Sequence, residues 1–518
     1  MLSDQKIGDL ERIFSGPDTA KAGAPAAENT APPVDPSAPQ LQAVTSSSEY
    51  DARQQAWVSW VNLEIANPLP HLQNGEYSTA FNLPEGCWVS DYYLTIGNRQ
   101  ERGILAEKKA ATWVFAQIVN ENSGRDPGLI SYRNPSEITV RVYPVSGSEV
   151  RRTRIQFLHK EPCTLLIDGR MVALGNAAAA PPVTAPVAVP GTGITYLSPL
   201  AKQQLPLVQR RPYYHFLLDV SRGQATPVAS YQARIERQLA QALPNGTTPR
   251  FSLVNSTSTP VSPGTNWAIA LRNATPAGGY FLTGAIQRVL FEAQQHPAPS
   301  YPVLVAVTDN LPAAVLESSF EAFGTAYPES EVFYVLGSDG SLRAHSLRQN
   351  ARHSLASVPL PGAPVPVRAW PTATNPRAYL AADEKASIVV DQRPVVPGTE
   401  TTSANRWRTG LLLRGYSQWQ HFHPEATDRE RVPFIQASFR AGIMTPFTSF
   451  LALENEAQKA ALRRKQDQTL AADASLDAME EEQSQTTAVP IDNGAALLLI
   501  AGILLAGWYL RRPHLSAR

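Results

Sequence analysis

From Ala56 onward the chain alternates apolar and polar residues with period two. The runs WVSWVNLEI, EYSTAFNL and CWVSDYYLTI are rich in aromatic and β-branched residues, and NG and PEG lie between them. Each run predicts a half-buried strand ended by turn chemistry. The period then changes, and a helix is expected from about Ala106 to Glu121, with Ala110, Trp113, Val114 and Ile118 on one face. GRDPGL punctuates, and the alternating runs EITVRVYP and VRRTRIQFL, joined by SGSE, predict a closing hairpin. Residues 50–162 therefore read as one β-rich domain with an inserted helix, preceded by a flexible segment, residues 1–49, whose later part is rich in Ala, Pro and Ser.

A different pattern takes over from there. Residues 163–210, dominated by AAAAPPVTAPVAVPGTG, read as a linker. Next, YYHFLLDVS is a nearly continuous apolar run, as expected of a strand buried on both faces. Helix-like VASYQARIERQLAQAL, strand-like RFSLVN, helix-like TGAIQRVLFEAQQ, strand-like PVLVAVTD, helix-like PAAVLESSFEAFGTAY and strand-like EVFYVLG complete the series. Strand–helix repetition at this pitch predicts a doubly wound parallel sheet over residues 211–345. Residues 346–450 read as a mixed β/α region, and residues 451–489 as a charged, solvated helical stalk.

The end of the chain, residues 490–518, carries the strongest physical signal. Gly494–Leu510 reads GAALLLIAGILLAGWYL, without charge or proline. As a helix at ~1.5 Å per residue it covers about 25 Å, close to the hydrocarbon thickness of a bilayer. Trp508 and Tyr509 stand where interfacial aromatics belong, and Arg511 and Arg512 come at once after them. The expectation is a transmembrane helix with its basic tail in the cytoplasm and the bulk of the protein outside. The first residues, MLSDQKIGDLERIFSGPD, have no apolar core of the kind an export signal requires, so a start further upstream is expected.

Charge narrows the classes. The formal net charge is +0 and the sequence pI is near 7.1, which argues against a nucleic-acid surface. No Gly-rich phosphate loop, metalloprotease helix or nucleophile elbow occurs, so no catalysis is expected. Cys87 and Cys163 are the two cysteines; they fit either one disulfide in an exported chain or two small buried thiols.

Several of these segments are familiar. The stretch ERGILAEKKAATWVFAQIVNENSGRDPGLISYRNPSEITVRVYPVSGSEVRRTRIQF resembles the VIT (vault protein inter-α-trypsin) domain. Residues 211–345 resemble a von Willebrand factor A-like domain, with FLLDVS, GGYFLTGAI and VAVTDN at its signature loops, and AGIMTPFTSFLALE is similar to the segment after that domain in VIT proteins. VPIDNG, the apolar helix and the double arginine resemble the tripartite tail of exosortase substrates, in particular the exosortase N group of Bacteroidetes-type bacteria. Together they imply a multidomain α+β and α/β chain: a β-rich VIT domain, a doubly wound A-like domain and a C-terminal transmembrane helix. They also imply Pro490, Ile491 and Asp492 as a sorting motif, although Pro490-Ile491-Asp492 departs from the better-known Pro-Glu-Pro.

An ion-binding A domain needs Asp-x-Ser-x-Ser, a threonine and an aspartate from three loops, because hydroxyls and one or two carboxylates build the oxygen shell of Mg²⁺. Asp219, Ser221 and Asp309 match, whereas Gly223 replaces the second serine and Tyr280 the threonine, with Thr283 three residues late. The expectation is that Mg²⁺ is not bound and that Asp219 and Asp309 are solvated or cap helices. The function expected is that of a membrane-anchored, non-enzymatic surface protein. Its partners would be the lipid bilayer, an exosortase-like processing enzyme and a protein ligand. The alternatives are an uncleaved membrane-resident component of the sorting system and a metal-dependent adhesin.

Overall fold

The computed structural model describes residues 4–16, 39–68, 75–121, 126–147, 149–222, 228–317 without 243–247, 319–348, 351–355, 360–391 and 405–471. An N-terminal helix, α1 (Asp4–Ser15), precedes a set of long strands: β1 (Gln40–Asp51), β2 (Ala56–Ala66), β3 (Gly75–Asn82), β4 (Cys87–Ile96), β5 (Arg99–Arg102) and β6 (Ile104–Glu107). Helix α2 (Lys108–Asn120) comes next, then β7 (Gly128–Tyr132), β8 (Glu137–Val145) and β9 (Val150–His159). Alternation makes β2 amphipathic: Val61, Leu63 and Ile65 face inward, while their neighbours are half-exposed. These side chains meet Tyr77 and Phe81 of β3, Val140 and Val142 of β8, and Ile155 and Phe157 of β9 in one core between two sheets.

The first sheet runs β1-β2-β9-β4-β5. Its edge strand β1 lies in the N-terminal segment read as flexible. Pairing runs from Gln40↔Ala66 to Asp51↔Ala56. Its serines are exposed because the outer face of an edge strand needs no apolar residue; Ser48 Oγ meets Ser59 Oγ at 2.7 Å.

Two further short strands, β10 (Cys163–Ile167) and β11 (Arg170–Leu174), form a hairpin in the segment read as a linker. Leu165, Ile167, Val172 and Leu174 join the sandwich core, and Asp168 at the hairpin tip accepts a 2.6 Å hydrogen bond from Tyr77. Cys163 packs beside Cys87 with no disulfide between them, and the Cys87 thiol donates a hydrogen bond to the Cys163 sulfur. Then come β12 (Val187–Val189), β13 (Ile194–Leu197) and the short helix α3 (Pro199–Gln203).

The second unit is built on β14 (Leu207–Asp219), α4 (Val228–Ala242), β15 (Arg250–Val254), β16 (Ser258–Pro260), α5 (Trp267–Asn273), α6 (Leu282–Gln295), β17 (Ser300–Val307), β18 (Val332–Leu336) and β19 (Leu342–Ser346). The order is β16-β15-β14-β17-β18-β19; β14 pairs in parallel with β15 and β17, β17 with β18, and the two edges are antiparallel. All residues of β17 after Ser300 are buried, as the continuous apolar run requires. The expected helix PAAVLESSFEAFGTAY is absent. Short 3-10 turns at Leu311–Ala313 and Glu321–Ala326 stand there instead. Val315 exchanges backbone bonds with Tyr280 and Thr283, so its amide and carbonyl are unavailable to a helix.

Two strands, β20 (Val365–Pro371) and β21 (Pro376–Ala381), extend the start of β14, and β22 (Ser387–Val390) pairs with β13. Helices α7 (Arg406–Phe422) and α8 (Pro424–Ala441) then return to the first unit, where Trp407 is fully buried and its indole donates to the Gly86 carbonyl at 2.8 Å. Finally β23 (Thr448–Ala452) inserts between β7 and β6, and the second sheet becomes β3-β8-β7-β23-β6. Helix α9 (Glu456–Ala471), the start of the segment read as a solvated stalk, packs on α2 instead: Leu462 is buried and Lys465 lies 4.8 Å over the Trp113 ring. Among the described residues no helix is long and apolar enough to cross a membrane. Gly494–Leu510, the sorting motif Pro490–Asp492, and Arg511 and Arg512 lie outside the described residues.

One buried ion pair ties this return to the sandwich. Glu107 caps α2 by accepting from the Ala110 amide at 2.8 Å, and its other oxygen meets Arg431 of α8 at 2.7 Å. Both side chains are at least nine-tenths buried. Breaking such a pair strands a charge, so Arg431→Ala should lower the unfolding free energy by about 3–5 kcal/mol. Glu107→Gln combined with Arg431→Met should recover a large part of that loss. Denaturant titration of the three proteins checks this; equal losses in the single and double variants would contradict it.

Candidate functional site

In an open parallel sheet ligands bind beyond the carboxyl ends of the strands, where the strand order reverses. Here successive crossovers run outward from β14 to β15 on one side and through β17 to β18 on the other, so the switch point lies between β14 and β17. Asp219 is the last residue of β14, and Thr308 and Asp309 come directly after β17. The topology thus brings together two of the three aspartate and serine positions singled out in the sequence, and Ser221 accompanies Asp219.

Asp219 is buried rather than solvated. One carboxylate oxygen accepts from the Ser221 amide at 2.9 Å and the other from the Thr308 hydroxyl at 2.6 Å. Burial pushes its carboxyl above the ordinary range, opposed by the Ser221 and Thr308 hydrogen bonds and reinforced by the neighbouring charge of Asp309. Asp309 itself pairs with Arg234, which reaches across from α4: Nη1 stands 2.7 Å from Oδ1 and 2.5 Å from the Gly337 carbonyl. The Arg234 guanidinium also lies 4.6 Å over the Tyr231 ring. The second oxygen of Asp309 has no hydrogen-bond partner among the described residues.

The positions assigned to the second loop do not converge on these carboxylates. Tyr280 is buried, and its hydroxyl donates to the Leu217 carbonyl at 2.9 Å. Thr283 sits in the first turn of α6, where its hydroxyl accepts from the Glu317 amide at 2.8 Å. Gly223 lies outside the described residues. The three loops are nonetheless knitted together through their backbones: the Arg222 amide donates to Gly278 at 2.9 Å, and the Val315 amide to Tyr280 at 2.9 Å. Arg234 and Thr308 were missed by sequence reasoning. Thr308 carries a local signal, a hydroxyl directly before the strand-end aspartate; Arg234 carries none, because only the packing of α4 brings it to Asp309.

Asp219 therefore sits in a conflict: burial and the nearby Asp309 carboxylate oppose its ionisation, and two hydrogen bonds favour it. A folded-state pKa raised above the unfolded value means that the fold favours the protonated form, so stability is lost as pH rises from the unfolded carboxyl range through the folded one. Asp219→Asn removes that loss. It should raise stability at pH 7 by roughly 0.5–2 kcal/mol, the usual gain from repairing one such conflict. It should also flatten the stability profile above pH 4, read by thermal unfolding across a pH series. A clear loss of stability at pH 7 would show that the carboxylate is structural.

Residues 50–157 match the family model described as the vault protein inter-alpha-trypsin domain. A search of the curated proteins finds no match to the chain. The matched range runs from the end of β1 to the last strand of the first sheet and stops short of the hairpin β10–β11 and of β23. The chain thus contains a VIT domain, and the sandwich that the domain belongs to draws on residues well beyond it.

Proposed function

We propose that the chain is a non-enzymatic protein-interaction protein, in which a VIT domain supports a von Willebrand factor A-like unit whose strand-end loops form the binding face. The observation that carries this reading is the strand order of the second unit, which brings Asp219 and Asp309 to one switch point above a VIT-matched sandwich. A buried carboxylate set beside a second carboxylate, where a neutral side chain would meet no such conflict, is the mark of a working site rather than of a fold requirement. The chain is anchored by Gly494–Leu510 with its bulk outside the cytoplasm, and Pro490–Asp492 is the point at which an exosortase-type enzyme processes it. The features supporting this are the apolar run, the flanking Trp508 and Tyr509, and Arg511 and Arg512.

In this reading the binding face works without a divalent ion. Both oxygens of Asp219 already accept from protein donors, and Asp309 has a guanidinium beside it, which leaves one free carboxylate oxygen among the described residues where an ion needs a shell of about six. Arg234 supplies the positive charge that a metal would otherwise bring. The metal-dependent adhesin is accordingly the weaker alternative.

Three measurements test these proposals. An ion bound at a hundred times its dissociation constant adds about 2.7 kcal/mol, so millimolar Mg²⁺ or Mn²⁺ should leave the unfolding midpoint of the chain unchanged. A rise that disappears in Asp219→Ala would restore the metal site. Carbonate extraction should leave the newly made protein in the membrane pellet and release a version lacking Gly494–Leu510, and mass spectrometry of mature protein from the native host should find the C-terminal peptide missing. Release of both versions sinks the anchor. Recovery of the peptide ending at Arg518 as the dominant form favours the uncleaved resident component.

A further inference from the structure

The loop face at the switch point is covered by the chain's own N-terminal helix. The Gly279 amide donates to the Ile13 carbonyl at 2.9 Å. Gly16, which ends α1 with φ 87°, is buried against the Gly278 carbonyl and the Arg222 side chain. Helix α1 therefore rests on the first two loops at once, Arg222 from one and Gly278–Gly279 from the other. Asp9 on the same helix lies within electrostatic reach of Glu317, in the segment after the third loop, and of Arg352.

Two features set this contact apart from ordinary packing. The first is what it demands of Gly279. A Cβ there would stand 2.0 Å from the Arg12 carbonyl oxygen, and every close neighbour of that Cβ belongs to Arg12 or Ile13. Gly279 has no positive φ that would require glycine on backbone grounds, so its lack of a side chain serves the approach of α1. The second is which face α1 presents. The half-buried positions are Gly8, Asp9, Arg12 and Ile13, whereas Ile7, Leu10 and Phe14 are 41%, 37% and 70% exposed. A helix kept in place for stability would bury that i, i+3, i+7 stripe. This one docks through glycine contacts, backbone carbonyls and charge, and so gains little from the apolar burial that makes packing permanent.

We propose that the loop face of the parallel-sheet unit is a helix-binding surface and that α1 occupies it as a displaceable internal ligand. The partner it excludes is of the same chemistry: a helix whose last turn offers free carbonyls to the Gly279 amide and whose small residues allow close approach to Gly278 and Arg222. This rests on the reading of that face as the interaction surface. Because α1 belongs to the same chain as the loop face, it competes intramolecularly, with an effective concentration on the order of millimolar, enough to cover a weak site until a tighter helix competes.

The test uses the full chain and two probes that need no external partner. Gly279→Ala blocks α1 by contact alone. Hydrogen exchange at residues 219–222 and 276–282 should be slow in the parent and at least tenfold faster in Gly279→Ala, with β14 and β17 unchanged. A labelled peptide of residues 1–16 should bind a chain lacking those residues, and bind at least tenfold more weakly when that chain also carries Gly279→Ala. Exchange that Gly279→Ala leaves unchanged, or a peptide that fails to bind the truncated chain while its loops exchange as in a folded protein, overturns the proposal. Should Gly279→Ala fail to fold, the truncated chain alone decides both arms. A loop face that binds the peptide but no outside helix would instead defeat the reading of the face as an interaction surface, leaving the internal ligand in place.

Discussion

The architecture hangs on one short strand. β23 is buried along its whole length and is held on both edges, by β6 on one side and β7 on the other. Without it the second sheet would be split into a fragment of β3, β8 and β7 and a stray β6, each with an open edge facing the core. Its partners lie more than three hundred residues earlier in the chain. The entire parallel-sheet unit is thus an insertion into the sandwich, and the sandwich is incomplete until the chain has passed through that unit and come back. Such non-local pairing has to meet the entropy of closing a very long loop before its hydrogen bonds form. The buried Glu107–Arg431 pair and the Trp407 indole are placed to fix the returning segment once it arrives.

This interdependence also explains why the switch point is rigid enough to act as a site. The core of the second unit runs without a break from β14 through Phe422 of α7, and α7 in turn packs on the sandwich through Trp88 and Trp407. The loops bearing Asp219, Tyr280 and Asp309 are therefore mounted on a core that is joined to the sandwich through α7. Their backbones are cross-bonded, and their carboxylates are oriented by Thr308 and Arg234 rather than left to solvent. Conformational freedom at that face lies in what covers it.

Much of the sandwich was legible because half-buried strands leave a period-two record, and β2, β3, β4, β8 and β9 all fall on runs with that record. Where reading failed, the residues in question met other constraints. β1 is an edge strand whose serines face water, so its composition imitates a linker. The β10–β11 hairpin is only five residues a side and adjoins a genuine Ala/Pro-rich stretch. The run PAAVLESS has helical propensity, but the amide and carbonyl of Val315 are claimed by Tyr280 and Thr283. α9 is polar nearly all round, and its docked face is made of Gln458, Leu462 and Thr469 with Gln466 accepting from the Glu107 amide, a pattern that does not stand out in the sequence. At the site, the aspartates could be found from strand-end motifs, whereas Arg234 and α1 reach it through tertiary packing that leaves no local pattern.

The position of β23 has a mechanical consequence for a protein tethered at its C-terminus. Tension between such a tether and a ligand held at the loop face would enter through α9, which docks on α2, and then reach β23. A strand paired on both sides loads two ladders of hydrogen bonds together, and its antiparallel neighbours β6 and β7 both lead directly into the sandwich. The load would be spread over the whole sandwich before it reached the second unit. In the proposed anchored form, the sandwich would therefore bear the pull and the strand-end loops of the second unit would be spared it.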